Sequence, residues 1–362
     1  MEKRIVCLAG DGIGPEVMES AKKILEVIER LYGHRFHLQD ELFGGAAIDE
    51  YGQPLPARTL TACLTSDAIL LAAVGGPKWD HTPERPEKGL LALRKGLGVF
   101  ANVRPVEVEN SLAYLSPLKE ERAKDVQFVV VRELTGGLYF ALPKERDTDK
   151  ATDTLSYTRK EIERIIEYAF KLARTRRKKV TSIDKANVLE TSKLWREIAL
   201  EISKRYEDVE LEHLYVDAAS MEMIRNPGKF DVLVTENMFG DILSDEASVL
   251  TGSLGMLPSA SHSESGPSLY EPVHGSAPDI AGKNIANPVA MLRSLALLLE
   301  QSFGLTNEAK AITNAISAVL GEGYFTADLG GKETTTSFTN RIVQTIEEQV
   351  LVGRGRASIT HD

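Results

Sequence analysis

Cysteine is nearly absent from this sequence. Cys7 and Cys63 are the two cysteines among 362 residues, and neither stands in a metal-ligand spacing. A disulfide framework and a cysteine-based zinc site are therefore not predicted.

Long hydrophobic runs are missing as well. The longest, around Ala68–Val74 and Leu295–Leu299, fall well short of the roughly 18 residues that suggest a transmembrane helix. The N-terminus MEKRIVCLAG enters a strand pattern at once, without the apolar segment of a signal peptide. We predict no membrane span and expect the protein to be cytoplasmic.

Positive charge is in deficit. The chain has 43 Lys and Arg residues against 53 Asp and Glu residues, for a formal net charge of −10. This balance argues against nucleic acid or an anionic membrane as the main partner. If the ligand is a small anion, the cations that bind it must be concentrated locally.

What the chain does have is an alternation of short apolar strands with helical patterns. The predicted strands are 5–9, 68–74, 128–132, 180–184 and 230–235, and the predicted helices are 15–31, 160–174, 192–206 and 288–302. This order is typical of an α/β protein with a largely parallel sheet buried on both faces, in two domains or one large unit. The sequence of residues 136–158 interrupts this alternation and predicts a polar hairpin. The tail from Val352 lacks periodicity and is expected to fray.

A glycine-rich turn, GDGIGPE (10–16), follows the first strand. A dinucleotide-binding fingerprint needs GxGxxG, but here the third glycine comes one residue early and Pro15 follows it. Proline suits the first position of a helix. The stretch therefore predicts a tight strand-to-helix turn near a site rather than a Rossmann fold.

Five charged residues stand at strand ends or in apolar surroundings. Arg94 and Arg104 lie ten residues apart and Arg132 ends the third strand; arginine suits bidentate recognition of carboxylates. Lys185 and Asp217 each follow a strand, where open α/β sheets collect ligand-binding groups. Singly, these residues are also explained as surface charges, a loop lysine and a helix cap. Together the arginines favour an anion pocket, and Lys185 is a candidate base.

The loop EPVHGSAPDIAGKNIAN (271–287) is rich in Gly, Pro and small residues. Small residues let a ligand approach the backbone, and Asp279 offers a carboxylate suited to paired ribose hydroxyls. A structured loop that simply precedes a helix is the alternative.

The stretch NMFGDILSDEA (237–247) places Asp241 and Asp245 four residues apart, on one face of a helix. Two such carboxylates repel each other, and the helix dipole explains the first but not the second, a full turn later. Hard oxygen ligands without Cys or His suit Mg²⁺ or Mn²⁺. Glu246 points elsewhere and is expected to be structural. A Mg²⁺-dependent phosphatase would also explain the aspartates, but it leaves the arginines without a role.

Nine motifs together resemble one family over nearly the whole chain, the metal-dependent β-decarboxylating dehydrogenases of 2-hydroxy acids, which include isocitrate and isopropylmalate dehydrogenases. The motifs are GDGIGPE (10–16), GGPKW (75–79), LALRK (91–95), FANVRP (100–105), VRELTGGLYF (131–140), IDKANVL (183–189), NMFGDILSDEA (237–247), GSLGMLPSA (252–260) and EPVHGSAPDIAG (271–282). The resemblance implies a two-domain α/β fold with a large central mixed sheet, not a Rossmann fold. Its cofactor-side domain would comprise residues 1–99 and 252–362, and its substrate, metal and dimerisation domain residues 100–251.

The resemblance also implies the roles of the charged residues. A divalent ion, Mg²⁺ or Mn²⁺, would be held by Asp217, Asp241 and Asp245. The substrate carboxylates would be clamped by Arg94, Arg104 and Arg132. Lys185 would take the proton of the 2-hydroxyl group, directly or through Asp217 or water, and Tyr139 would protonate the enol left after loss of CO₂.

The implied cofactor is NAD, because the carboxylate of Asp279 would repel the 2′-phosphate of NADP. The cofactor-binding residues carried over from the family are Gly75, Gly76, Pro77, Lys78, Glu271, His274, Gly275, Ser276, Ala277, Asp279 and Asn287.

Substrate choice is implied by the stretch before Arg94. There Glu87 is followed by Leu90 and Leu91, which suit an isopropyl group, whereas relatives acting on isocitrate have polar residues at this place. This implies oxidation and decarboxylation of 3-isopropylmalate to 2-oxoisocaproate, in leucine biosynthesis, with a D-malate or tartrate dehydrogenase as the alternative. One departure from the family is Ala141, which stands where glycine is usual.

The family forms homodimers in which the Lys185 and Asp217 equivalents come from the second subunit, and residues 136–158 match the arm that clasps the partner. A non-catalytic relative tends to lose the base or the metal ligands, and this chain keeps all of them.

Overall fold

The computed structural model describes residues 1–359, with side chains through residue 351. Its strands are β1 (Glu2–Gly10), β2 (Arg35–Asp40), β3 (Ala68–Ala73), β4 (Val99–Glu107), β5 (Gln127–Glu133), β6 (Lys144–Arg146), β7 (Ala151–Asp153), β8 (Lys179–Asp184), β9 (Glu210–Tyr215), β10 (Val232–Thr235), β11 (Pro258–Ser263) and β12 (Ser268–Pro272). Its α-helices are α1 (Gly14–Tyr32), α2 (Gly45–Tyr51), α3 (Ala57–Leu64), α4 (Pro86–Leu97), α5 (Glu120–Ala123), α6 (Arg159–Arg174), α7 (Glu190–Ser203), α8 (Val216–Arg225), α9 (Asn237–Val249), α10 (Val289–Gln301), α11 (Thr306–Gly321) and α12 (Thr335–Ile359). Short 3₁₀ segments are Pro77–Trp79, Asn110–Leu115, Gly137–Tyr139, Pro227–Lys229, Leu254–Met256 and Ala327–Leu329.

The first of two compact units comprises residues 1–97 and the chain from Ser253 onward. Its strand order is β2-β1-β3-β12-β11, parallel except where β11 pairs with β12. Helices α1 and α10 pack on these strands. Every residue of β3 is buried, as expected for a strand covered on both faces.

The second unit comprises residues 98–252. Its strand order is β4-β5-β10-β8-β9, parallel except for the antiparallel pair β4 and β5. Helices α6 and α9 pack on β5 and β10. The valine-rich strands β5 and β10 and the apolar sides of these helices form its core.

A small antiparallel hairpin, β6 with β7, lies within the interval 136–158 that the sequence marked as irregular. Lys144 pairs with Asp153 and Arg146 with Ala151. All but one of its six strand residues are exposed, so the hairpin contributes little to the core of its own chain.

The predicted strands and helices are present, with ends displaced by three residues at most. The strands β2, β4, β11 and β12 were not predicted, and of β9 only the end that precedes Asp217 was expected. Helix α12 continues to Ile359, so helical backbone extends past Val352, where the sequence showed no periodicity; residues 360–362 lie outside the described part. Within residues 1–359 no helix is both long and apolar enough to cross a membrane.

Candidate active site

Parallel strands of the second unit bring distant charged residues to one edge of its sheet. Thr235, the last residue of β10, is the register partner of Arg132 on β5 and of Ile183 on β8. Because parallel strands end at the same edge, Arg132, Lys185 just after β8, and the start of α9 after β10 all lie there. The strand β9 pairs in parallel with β8 and leads into α8, which carries Asp217.

Helix α9 begins at this edge and separates its acidic and apolar residues. Its N-cap, Glu236, accepts hydrogen bonds from the backbone N–H groups of residues 238 and 239. Phe239 and Leu243 are buried beneath the helix, while the side chains of Asp241 and Asp245 are 36% and 68% exposed. The two carboxylates therefore lie on the open face, as the spacing predicted.

Asp241 contacts two of the predicted functional residues. It forms an ion pair with Arg132 and accepts a hydrogen bond at 2.9 Å from the hydroxyl of Tyr139. Burial raises the pKa of Tyr139, and the Asp241 carboxylate raises it further. The phenol therefore keeps its proton at neutral pH and is able to act as a donor.

Asp245 pairs with the second arginine of this unit. Its Oδ1 lies 3.2 Å from Nη1 of Arg104. The same nitrogen donates to Ser244 at 2.7 Å, and the Nε group of Arg104 donates to Asn102 at 2.9 Å. Glu246 is turned away and accepts a hydrogen bond from Ser220 at 3.0 Å.

Asp217 pairs with Lys185, whose ammonium group lies 2.5 Å from its Oδ1. The hydrogen bond from Lys185 lowers the pKa of Asp217, so this exposed carboxylate is ionised. Among the described residues no group of three His, Cys, Asp or Glu side chains is arranged to hold a metal ion. The described part of one chain thus offers Asp241 and Asp245 on one helix face, but not a three-carboxylate centre.

In the first unit, three loops meet at the edge where β1, β3 and β12 end in parallel. These are the turn after Gly10, the loop from Gly75, and the segment from Glu271. The N–H of Ile13 donates to the carbonyl of Ser276 at 2.8 Å. A Cβ at Gly12 would lie 2.0 Å from that carbonyl oxygen, so only glycine allows this approach.

Sequence reasoning overlooked Asp11, which joins the turn after Gly10 to the loop from Gly75 and to the start of α2. Its buried carboxylate accepts hydrogen bonds from the N–H groups of Gly45, Ala46 and Gly75 at 2.8–2.9 Å. Burial raises the pKa of Asp11. An aspartate directly after a buried strand, beside two glycines, was the signal that could have identified it.

Helix α4 displays the four residues that were predicted to select the substrate. Glu87, Leu90, Leu91 and Arg94 are spaced i, i+3, i+4 and i+7, so they share one face. Arg94 pairs with the largely buried Glu271, at 2.6 Å from Nη2 to Oε1. Among the described residues, the buried Nε of Arg94 has no hydrogen-bond partner. Glu271, predicted to bind the cofactor, thus contacts a predicted substrate residue.

The predicted cofactor residues differ in whether other protein groups already form hydrogen bonds with their polar side-chain atoms. In the described part of the chain, the buried Nε2 of His274 lacks a hydrogen-bond partner, while its Nδ1 donates to the carbonyl of Gly275 at 2.8 Å. Burial lowers the pKa of His274, which favours the neutral ring. Asp279 is exposed in a turn. Asn287 instead bonds to Val289 and Asp328 and is buried.

Most of the remaining predicted cofactor residues would meet a ligand through their backbone. Gly75 and Gly76 have φ angles of 99° and 156°, Ala277 has a φ of 39°, and the position of a Cβ on Gly275 is open space. Pro77 begins a 3₁₀ segment. Lys78 is exposed and pairs with Asp49 at 2.6 Å.

An α/β chain that presents paired carboxylates and cations on one unit, and open glycine-rich loops on the other, has the groups expected of a dehydrogenase acting on an organic acid. Comparison with known proteins agrees. The family model described as isocitrate/isopropylmalate dehydrogenase matches residues 4–346. The chain belongs to this family, so the sequence-based resemblance and the predicted fold class are confirmed.

Individual relatives cover almost the full length. A 3-isopropylmalate dehydrogenase of Bacillus cereus is 74% identical over 98% of this chain and 100% of its own. One from Listeria innocua is 62% identical over 96% and 99%. The crystal structure of isocitrate dehydrogenase from Methylococcus capsulatus superposes with a TM-score of 0.85 at 37% identity, covering 95% of this chain and 99% of that one. The protein is therefore an enzyme, a decarboxylating dehydrogenase.

Proposed function

We propose that this enzyme oxidises and decarboxylates 3-isopropylmalate to 2-oxoisocaproate (4-methyl-2-oxopentanoate) in leucine biosynthesis, using NAD and Mg²⁺ or Mn²⁺. The observation that carries the proposal is a set of three acid–base pairs. Each predicted metal ligand contacts one predicted substrate or catalytic cation: Asp241 with Arg132, Asp245 with Arg104, and Asp217 with Lys185.

Charge balance supports a metal ion together with a dianionic substrate. The three pairs are formally neutral. A divalent cation that takes up the carboxylates adds two positive charges, and a dicarboxylate that takes up the freed cations adds two negative charges. Both ligands together therefore leave the group neutral, whereas either alone leaves charge uncompensated.

The side chains would act on protons and on substrate orientation. Arg94, Arg104 and Arg132 would bind the substrate carboxylates. Lys185 would act as the neutral amine once Asp217 is engaged elsewhere, and in that form it would take the proton from the 2-hydroxyl group. Tyr139 would deliver a proton to C3 of the enol after CO₂ has left. The nicotinamide would supply the hydride acceptor, and the metal ion a Lewis acid for the developing negative charge.

The isopropyl specificity rests on Leu90 and Leu91. Both lie on the face of α4 that also carries Arg94, so an apolar substituent would be bound next to a clamped carboxylate. Malate and tartrate carry no apolar group for these leucines. A purely apolar contact separates such substrates by about 1–3 kcal/mol, so weak activity on D-malate is expected.

For the cofactor we propose NAD, bound by the first unit. The Nε2 of His274, which has no hydrogen-bond partner among the described residues, and the open backbone at Gly275 are suited to a polar ligand. The exposed carboxylate of Asp279 favours free ribose hydroxyls over a 2′-phosphate. In this proposal, residues 1–99 and 252–362 form the cofactor-side domain. Residues 100–251 form the substrate, metal and dimerisation domain.

We further propose a homodimer with shared active sites. Asp217, Met221 and Ile224 are spaced i, i+4 and i+7 on α8, and Met221 is 65% exposed. On α9, Asp245 lies on the same face as the exposed Ile242 and Val249. A partner that covers these apolar faces would bring its own Asp217 toward a metal site. This would supply the third carboxylate that is not found next to Asp241 and Asp245 among the described residues of one chain. The exposed hairpin of residues 144–153 is suited to reach the partner.

The cytoplasm is the compartment that we propose for this enzyme. Cys7 and Cys63 are both free and buried, as is usual for proteins of reducing compartments.

The direct test is NADH formation from 3-isopropylmalate, D-malate and isocitrate, each with Mg²⁺ or Mn²⁺. We expect the highest kcat/KM with 3-isopropylmalate. A higher kcat/KM with D-malate would overturn the substrate assignment, and preference for NADP⁺ would overturn the cofactor assignment.

A further inference from the structure

Asn237, the first residue of α9, lies beside the Arg132–Asp241 pair and is almost completely buried. Its side-chain oxygen accepts two hydrogen bonds from Arg132, from Nε at 2.9 Å and from Nη2 at 2.8 Å. This leaves Nη1 of Arg132 directed to Asp241. The amide therefore determines the orientation of the guanidinium plane.

The other end of the same amide holds the segment that carries Tyr139. The Nδ2 group of Asn237 donates to the carbonyl of Gly136 at 3.1 Å. Gly137 begins the 3₁₀ turn that ends at Tyr139. One neutral side chain thus connects a predicted substrate cation with a predicted proton donor.

The start of α9 is held to Tyr157 by further contacts. The backbone N–H of Asn237 donates to the hydroxyl of Tyr157 at 3.0 Å, and that hydroxyl donates to Glu236 at 3.2 Å. A Cβ at Gly137 would lie 2.2 Å from the same hydroxyl oxygen. None of these contacts involves the side chain of Asn237, so they remain when that side chain is replaced.

An amide at position 237 affects the charge of Arg132 differently from a carboxylate. The side chain of Arg132 is 5% exposed, so its N–H groups need protein acceptors. A carboxylate would satisfy them but would also cancel the positive charge. An amide satisfies them and leaves the charge available to a substrate carboxylate.

We propose that Asn237 is a positioning residue that orients Arg132 for the substrate carboxylate and the Gly136–Tyr139 segment for proton delivery, without neutralising Arg132. The inference rests on the proposed function, since it assigns these two residues to substrate binding and protonation.

The main variant is Asn237→Ala. It should raise the KM for 3-isopropylmalate and lower kcat, for a combined loss of about 10–100-fold in kcat/KM. The KM for NAD⁺ should stay within about twofold. Asn237→Asp keeps the acceptor for Arg132 but adds a negative charge and loses the donor to Gly136. It should therefore raise the substrate KM and lower kcat while the orientation of Arg132 is kept.

The orientation itself is measured by NMR. The Nε–H signal of Arg132 is assigned by its absence in Arg132→Lys. In the wild type and in Asn237→Asp this hydrogen should be protected from exchange with solvent, and in Asn237→Ala it should be unprotected. The nearly isosteric Asn237→Asp variant carries the test if the alanine variant fails to fold.

The matched control is Asp231→Asn. Asp231 is a buried polar residue of the same unit that precedes β10 and pairs with Arg176 at 2.9 Å. Its loss should lower stability and leave both KM values unchanged. The proposal is overturned if Asn237→Ala changes only stability, as this control does, or if the Arg132 signal stays protected in it. If the wild type oxidises none of the hydroxy acids, the proposed function fails, while the Arg132 signal still decides the orienting role of Asn237.

Discussion

A shared active site makes a quantitative prediction about hybrid dimers. If Asp241 of one chain and Asp217 of its partner serve the same metal ion, Asp217→Asn and Asp241→Asn should each inactivate both sites of a homodimer. Loss of a charged ligand should weaken metal binding by at least about 100-fold, since even outer partners of a ligand cost 10–100-fold.

A hybrid of these two variants should regain activity. The site built from Asp241 of the Asp217→Asn chain and Asp217 of the Asp241→Asn chain has all its ligands, whereas the other site lacks two. By the two-fold symmetry of such dimers, the hybrid should have about half of the wild-type activity.

The assay uses co-expression of the two chains with different tags and purification over both. A hybrid of Asp241→Asn with Asp245→Asn is the matched control. Each of its sites lacks one ligand from α9, so it should stay inactive under either arrangement. If the Asp217/Asp241 hybrid dimer assembles normally but is inactive, the shared site is refuted. A site built within one chain would be damaged in both chains of this hybrid, so inactivity is what that arrangement predicts.

The other predictions concern association, pH and cofactor choice. Met221→Asp should raise the dimer dissociation constant at least about 100-fold, because each of two symmetric copies loses about 1–2 kcal/mol of apolar burial and buries a carboxylate; sedimentation velocity measures this. Burial lowers the pKa of His262 from 6.5 to about 4. As the pH falls, the imidazole of His262 is therefore protonated in the unfolded chain before it is protonated in the folded one. The free energy of unfolding should therefore fall as pH drops from 6.5 to 4, by about 3 kcal/mol from this group, and His262→Asn should flatten that dependence in urea titrations. Asp279→Asn should raise the ratio of kcat/KM for NADP⁺ over NAD⁺ about tenfold, because it removes a repulsive charge.

Each of these three has a contradicting result. A Met221→Asp protein that is dimeric at nanomolar concentration would place the interface elsewhere. An unchanged pH dependence in His262→Asn would mean that other groups cause it. An unchanged cofactor ratio in Asp279→Asn would mean that this carboxylate does not meet the ribose.

The sequence by itself determined the elements with strong local patterns and the family. Apolar runs such as 68–74 and amphipathic stretches such as 160–174 become β3 and α6, because their burial pattern is local. The i, i+4 spacing placed Asp241 and Asp245 on one exposed helix face. Short polar-rich strands such as β2 were missed, since their pairing rather than their composition makes them strands.

Only the tertiary structure decided which residues meet. Parallel pairing of β5 and β10 brings Arg132 to Asn237, 105 positions away. In the first unit, Arg94 meets Glu271, 177 positions away. No local pattern carries such contacts, because they depend on strand register and on which buried polar group lies within hydrogen-bonding distance. For this reason Asn237 and Asp11 read as ordinary polar residues in the sequence. Their burial and their partners make them organising residues.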